Sequence, residues 1–309
     1  MQAVLSVILP MMALVVLGYL SAWRGGLKAG ALEGLSRFVV DFTIPALLFQ
    51  SIAVEGEPIR FAVIYAYFIG CVALFFASAV LALAWRRHRL PEMGLFALNA
   101  TYSNTVLMGV PLVQGAFGPR GLHILTMITA FHSLVMLTLA TVFVEVGRNR
   151  GTRISDVFVK TLRSTVRNPI IMSVVAGALW RMTGLGLPGP IETTLRLLST
   201  AASPCALFMM GATLTTLRIG PYLGEILGVS VIKAIVMPAL IWFLAAHVFG
   251  LDRLQVAVST TLAAMPTGVN TFVLAKRFDL YTANSAGTVL LTTVASAVTM
   301  SLLLLLMRS

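Results

Sequence analysis

The sequence predicts an all-α integral membrane protein: ten transmembrane helices in two inverted repeats of five. Three observations carry that prediction. The 309-residue chain is 58% hydrophobic and only 11% charged, with a mean hydropathy of +0.94. Soluble domains carry about a quarter charged residues, so this chain cannot cover itself with polar surface. Its apolar residues fall into ten continuous runs, each near the ~20 residues that span a bilayer. Two proline- and polar-interrupted motifs of the first half also recur in the second half at nearly one separation.

The first five runs lie near residues 3–23, 34–54, 60–85, 93–116 and 121–146, and the second five near 168–184, 191–216, 222–248, 253–276 and 282–306. Continuous runs of this kind differ from the alternating segments of about ten residues that build transmembrane barrels. No basic residue precedes the run that starts at Ala3, so it reads as a retained span rather than a cleaved leader.

Lys and Arg set the orientation. Of the 22 in the chain, 15 lie in or beside the odd-numbered connectors: Arg24, Lys28, Arg37, Arg86, Arg87, Arg89, Arg148, Arg150, Arg153, Lys160, Arg163, Arg167, Arg218, Lys276 and Arg277. Six lie on the other side: Arg60, Arg120, Arg181, Arg196, Arg253 and Arg308. The positive-inside rule puts the odd connectors in the cytoplasm and both termini outside, as for a multi-pass protein of the cell (inner) membrane. The net charge of +11 therefore reads as a topology signal and not as a nucleic-acid footprint. Cys71 and Cys205 lie inside apolar runs with no disulfide or zinc spacing, and read as inert buried thiols.

The longest connector divides the chain into a first repeat (1–146), a basic cytoplasmic connector (147–167) and a second repeat (168–309). Within the connector, Ile154, Val157, Phe158, Leu162 and Val166 have helical spacing among basic residues. That suits either an interfacial amphipathic helix or a plain basic linker.

Five spans per half require any repeat to be inverted. Pro45-Ala46-Leu47-Leu48-Phe49 in span 2 is echoed by Pro204-Cys205-Ala206-Leu207-Phe208 in span 7, 159 residues on. Asn99 to Pro111 in span 4 ("NATYSNTVLMGVP") is echoed by Thr261 to Phe272 in span 9 at an offset near 162. Interrupted helices at matching places in two halves mark the binding site of inverted-repeat transporters. A broken helix frees N–H and C=O groups, and each left unsatisfied in hydrocarbon costs several kcal/mol. Such breaks persist only against protein, a cavity or a ligand. The half-helix after Pro266 offers N–H groups and partial positive charge to an anion. The candidate substrate-binding residues are accordingly Asn99, Ser103, Asn104 and Thr105 in span 4, and Pro266, Thr267, Gly268, Asn270 and Thr271 in span 9. Pro45, Leu48, Pro204 and Asn168 are candidate contacts from the opposite side, with a simple kink an equal reading for the two prolines.

Lys233 stands mid-span in "SVIKAIVMP" and needs a partner. It can neutralise half-helix dipoles, attract an anionic substrate or carry a coupled proton, with packing or snorkelling the plain alternative. Asp41, four residues before Pro45, is either a proton or sodium site or the partner of Arg37 one turn away. His132 in span 5 is a helix–helix hydrogen bonder or a proton relay.

At these residues the sequence resembles the auxin efflux carrier family, which includes plant PIN-type carriers and bacterial malate/malonate permeases. The resemblance rests on "FTIPALLF", "SNTVLMGVPLV", "RNPIIMSVVAGALW" and "AAMPTGVNTFVLAKRFD". It covers essentially all ten spans. It implies a fold like that of bile-acid symporters and sodium/proton antiporters, in which broken spans 4 and 9 cross at the midplane. The crossing would fall at Ser103-Asn104-Thr105 and Met265-Pro266-Thr267. Spans 1, 2, 6 and 7 would form a scaffold, spans 3–5 and 8–10 a moving transport domain, and the scaffold would support a homodimer. The chain departs from plant carriers in having Ser103 before Asn104, Ile170 after Asn168-Pro169, no acid in span 3 and a short central connector, which looks prokaryotic.

The expected activity is secondary transport of a small organic anion by alternating access in a lipid bilayer, with no nucleic-acid partner and no cofactor beyond a coupling Na+ or H+. The alternatives are an anion channel and a sodium- or proton-coupled exchanger. An exchanger usually needs embedded acids near the crossover, which spans 3, 4, 5, 8 and 9 lack apart from their ends. An intramembrane protease is disfavoured because H-E-x-x-H is missing and Asp41 is the sole candidate for a two-aspartate site.

Overall fold

The computed structural model describes residues 2–27, 29–54, 61–148, 168–218 and 222–308, and its regular structure is helical throughout. The amphipathic reading of the central connector falls almost wholly on 149–167, outside the described residues. Among the described residues, six helices are long and apolar enough to cross a membrane: Gly30–Ala53, Phe61–Trp85, Thr105–Arg148, Gly189–Leu214, Leu223–Val248 and Thr282–Leu305. Ile8–Trp23 and Pro169–Met182 are shorter apolar helices. Large apolar side chains are exposed in rows suited to lipid. On span 3 the row is Phe61, Tyr65, Ile69, Phe76, Val80 and Leu83, with spacings of three, four and seven that keep to one helix face.

Thr105–Arg148 is 44 residues long. Unbroken it would reach about 66 Å, twice the hydrocarbon thickness. Gly118, at φ 64 and ψ −160 and followed by Pro119, turns the chain there. Only glycine takes that conformation without strain. The helix therefore divides into two arms at the place where the sequence puts the connector between spans 4 and 5.

Two other prolines directly follow widened turns. A π-turn at Val39–Thr43 leads into Ile44–Ala53, with Pro45 at its start, and one at Ile232–Val236 leads into Met237–Phe243, with Pro238 at its start. One extra residue per turn relieves the clash that proline imposes on the preceding turn. The first π-turn also corrects an expectation. Arg37 does not pair with Asp41. Its guanidinium donates to Glu33 at 2.7 Å, one turn back on the same face. The wider turn rotates Asp41 off that face and leaves it exposed.

Span 1 (Gln2–Trp23) packs on span 7 (Gly189–Leu214), and span 2 packs on span 6 (Pro169–Met182). Both contacts are backbone-close. A Cβ on Gly211 would stand 1.8 Å from the Val15 carbonyl oxygen, one on Gly18 would stand 1.9 Å from that of Phe208, and one on Gly177 would stand 2.9 Å from that of Phe49. Small residues at such crossings let helix backbones approach where no hydrophobic force drives them together. Gly211→Ala is expected to force spans 1 and 7 apart and cost about 1–3 kcal/mol, as overpacking does. The check is a lowered thermal midpoint in detergent. Gly34→Ala, whose Cβ would meet nothing within 4 Å, should leave the midpoint unchanged or raised.

Candidate functional site

Spans 4 and 9 both break, and the breaks meet. Helix Leu90–Thr101 ends at Tyr102, which is extended at φ −89 and ψ 110. Helix Arg253–Ala264 ends at Met265, φ −55 and ψ 149, the extended form favoured before a proline. Ser103 and Thr267 then pair as an antiparallel bridge. The Asn104 N–H donates to the Pro266 carbonyl at 2.9 Å, and the Gly268 N–H to the Tyr102 carbonyl at 3.0 Å. Two further freed donors find side chains. Ser103 N–H donates to His132 Nε2 at 3.0 Å, and Thr267 N–H to Thr292 Oγ1 at 3.0 Å. Thr267 Oγ1 caps the Asn99 carbonyl at 2.9 Å, and Lys233 Nζ caps the Ala263 carbonyl at 2.5 Å. Each break thus answers the demand that buried backbone groups be paired.

These pairings repeat at one separation. From 102 to 266, 103 to 267, 104 to 268 and 99 to 263 is 164 residues in every case. The side-chain acceptors for the two central N–H groups, His132 and Thr292, are 160 residues apart.

A cavity of about 390 Å³ opens against the crossing. Span 4 contributes Tyr102, Ser103, Asn104, Thr105, Val106 and Leu107; span 9 contributes Gly268, Val269, Asn270 and Val273; span 5 contributes Ser133. Ser36 and Val40 of span 2, Asn168 and Ile170 of span 6, and Met209 and Thr213 of span 7 form the opposite wall. Among the described residues, no charged side chain lines it. The N–H groups of Val106, Val269 and Asn270, at the starts of the two half-helices, have no partner among the described residues.

Side chains hold this lining in place. Asn104 Oδ1 accepts from Leu107 N–H at 3.3 Å and caps its half-helix, while Nδ2 meets only the weak acceptor Met210 Sδ at 3.3 Å. The Tyr102 hydroxyl lies 2.8 Å from Ser133 Oγ and accepts from Asn270 Nδ2 at 2.9 Å. Its ring stacks on His132, centroids 4.7 Å apart. Ser103 Oγ accepts from Lys233 Nζ at 2.9 Å and from the Tyr67 hydroxyl at 3.4 Å, which leaves its own proton free to donate. Asn168 Oδ1 caps the start of span 6 through Ile170 N–H at 2.9 Å.

Of the residues singled out from sequence, Ser103, Asn104, Thr105, Gly268, Asn270 and Asn168 line the cavity. Asn99, Pro266, Thr267 and Thr271 are buried behind it, where the first three build the crossing. Thr271 Oγ1 has no hydrogen-bond partner among the described residues. Lys233 is buried one hydroxyl behind the lining. Asp41 and Pro204 are exposed, Pro45 is half-buried, Leu48 sits in the apolar core, and none of the four lines the cavity. The sequence reading missed Tyr102, Ser133, Ser36 and Thr213. Tyr102 lies inside the span 4 motif, and that position was the available signal.

A second polar cavity, about 540 Å³, lies outside the crossing at the connectors after spans 3 and 9. His88 Nε2 is 2.8 Å from a Glu225 carboxylate oxygen, its Nδ1 is 3.4 Å from Glu92, and the Tyr281 phenol donates to Glu225. Burial and the adjacent Glu225 carboxylate push the Tyr281 phenol up, so it stays a neutral donor.

Comparison with known proteins agrees with the geometry. A family profile described as "Membrane transport protein" matches residues 3–304. A "Putative malonate transporter" of Rhizobium meliloti (strain 1021) is 27% identical over 311 residues, covering 100% of this chain and 97% of the relative. "Auxin efflux carrier component 5" of Arabidopsis thaliana is 26% identical over 317 residues, covering 90% of this chain and 89% of the relative. "Uncharacterized transporter YfdV" of Escherichia coli (strain K12) is 23% identical over 287 residues, covering 89% and 88%. With a match running nearly end to end and motifs, breaks and apolar helices in agreement, the chain belongs to the membrane transport protein family, that of the auxin efflux carriers, and is a multi-pass membrane transporter.

Proposed function

We propose that the protein is a secondary transporter of small organic anions, carboxylates above all, working by alternating access with the substrate at the crossing of spans 4 and 9. One observation carries the proposal. A cavity whose described lining is polar and apolar but uncharged is framed on one wall by both helix breaks and on the other by spans 2, 6 and 7. Free half-helix N–H groups, the Asn104 amide and the Ser103 hydroxyl all present donors, which suits a carboxylate. Among the described residues, no acidic side chain lines the cavity to oppose it. The volume suits a small organic acid. Relatives named for malonate, a dicarboxylate, and for auxin favour the same class.

The constant separation of 164 residues at the crossing supports two inverted five-span repeats. Packing of span 1 on 7 and of span 6 on 2 supports it too, since each contact is the other's counterpart under that exchange. On this reading spans 1, 2, 6 and 7 are the scaffold and spans 3–5 and 8–10 move. The cavity lies on the seam between them. Its wall at Ser36, Asn168 and Thr213 adjoins the basic connectors 1, 5 and 7, which by the positive-inside rule makes this the cytoplasm-facing state.

The test is flux of labelled malonate and of other mono- and dicarboxylates into proteoliposomes, alongside thermal-shift titration of the purified protein. Saturable, mutually competitive uptake and a ligand-dependent rise in midpoint are expected. Flux that does not saturate would indicate a channel. A vesicle pH change driven by sodium without carboxylate would indicate an exchanger.

A further inference from the structure

The helix ends at the two breaks are closed differently. The Asn99 carbonyl is capped by a neutral hydroxyl, Thr267 Oγ1, at 2.9 Å. Its counterpart 164 residues on is Ala263, and the counterpart of Thr267 by the same separation is Ser103. By that pattern the Ser103 hydroxyl should cap Ala263. Instead the Lys233 ammonium is inserted between them, donating to the Ala263 carbonyl at 2.5 Å and to Ser103 Oγ at 2.9 Å. A cation stands where the other half of the molecule uses a hydroxyl. The matching stretch of span 3, Ile69 to Ala73, holds no charge.

That cation is unusual in its setting. Lys233 is 1% exposed, and none of the ion pairs among the described residues includes it. Capping a carbonyl does not require an ammonium, as Thr267 demonstrates. A charge inside the membrane is costly to place and marks function by default. The chemistry of the position is that of a cation site. The end of helix Arg253–Ala264 carries about half a negative charge, and such half-helix ends with unwound carbonyls are where broken-helix transporters coordinate sodium.

We infer that Lys233 is a tethered cation that fills the cation position of the crossing, so that the transport cycle takes up no sodium or potassium from solution. Lys233, Ser103 and Ala263 lie on spans 8, 4 and 9, all across the cavity from spans 2, 6 and 7. The charge therefore travels with the crossing and never has to be bound or released. It also acts on the cavity through Ser103, whose hydroxyl is polarised toward a bound anion by the ammonium behind it.

The flux part of the test rests on the transport reading; the stability part does not. Thermal midpoints of the purified protein are compared in sodium, potassium, methylammonium and N-methyl-D-glucamine chlorides at one ionic strength. The wild-type midpoint should be the same in all four. For Lys233→Ala, sodium or methylammonium should raise the midpoint saturably over N-methyl-D-glucamine, because the vacated oxygens accept a small cation. Wild-type carboxylate flux in proteoliposomes should change less than about twofold when N-methyl-D-glucamine replaces sodium. A saturable rise of the wild-type midpoint with sodium, a wild-type flux that requires sodium, or a folded Lys233→Ala that gains nothing from any small cation overturns the inference. If Lys233→Ala does not fold, the two wild-type measurements decide. A wild type with no carboxylate flux but with the predicted cation pattern would defeat the transport reading and leave the tethered cation standing.

Discussion

Asn104→Ala is expected to abolish carboxylate flux in proteoliposomes while the protein still folds. The backbone of Asn104 keeps its bond to the Pro266 carbonyl in the variant, so the crossing persists. The side chain is what the cavity loses. Its Oδ1 caps Leu107 N–H, and its Nδ2, held only by Met210 sulfur, is a donor available to a ligand. A hydrogen bond to a charged partner contributes about 1.5–3 kcal/mol, which corresponds to roughly 10- to 150-fold in affinity. Loss of the cap adds disorder to the half-helix that presents the Val106 N–H. Substrate titration in the thermal-shift assay separates the effects. The unliganded midpoint should fall little, and the carboxylate-dependent rise should vanish. Pro266→Ala makes the informative comparison. Three hydrogen bonds, from Asn104 N–H, Gly268 N–H and Thr267 N–H, hold span 9 extended around that position. The variant must break them to run on as helix, so flux should be lost with a larger fall in midpoint. Wild-type flux from both variants would remove the substrate from the crossing.

Much of this molecule is legible in the sequence because lipid imposes it. The apolar runs recur as helices with edges shifted by a few residues, the largest shift being span 2, which starts at Ala29 rather than 34. Gly118-Pro119 marks the turn between spans 4 and 5, and Pro266 marks the break in span 9. The offset near 162 read from the motifs is 164 at the crossing, where Ser103 stands opposite Thr267. Pattern alone does not reveal which polar residues face the cavity and which build the crossing. At a break the chain leaves helical phase, so neighbours such as Thr267 and Gly268 turn opposite ways, one capping Asn99 and one lining the cavity. The partners of Lys233 were equally hidden. They lie 130 and 30 residues away along the chain, and they are an oxygen pair rather than the carboxylate a buried lysine suggests. Tyr102 escaped notice because an aromatic in an apolar span reads as packing, until its hydroxyl is seen between Ser133 and Asn270.

His132→Leu is expected to cause the largest loss of stability among single changes near the site. The imidazole accepts the Ser103 N–H at Nε2, which requires a neutral ring with its proton on Nδ1, and Nδ1 has no partner. Leucine keeps most of the volume and removes the acceptor. The Ser103 N–H is then buried with no other acceptor beside it among the described residues. A buried donor left unsatisfied costs about 1–3 kcal/mol in water-soluble proteins and several in hydrocarbon. The stacked contact with Tyr102 goes too, and with it the support for the hydroxyl that holds Asn270. Thr292→Val is the counterpart change in the other half, where it strips the acceptor from the Thr267 N–H. Thr292→Val should lower the thermal midpoint by a similar mechanism but by less, because no ring contact accompanies it. His132→Gln, which restores a side-chain acceptor, should recover part of the loss. If His132→Leu and His132→Gln melt alike and close to wild type, the bond to Ser103 does not support the break. If His132→Gln recovers stability but not flux, the ring's stacking on Tyr102 matters for the substrate as well as for the fold.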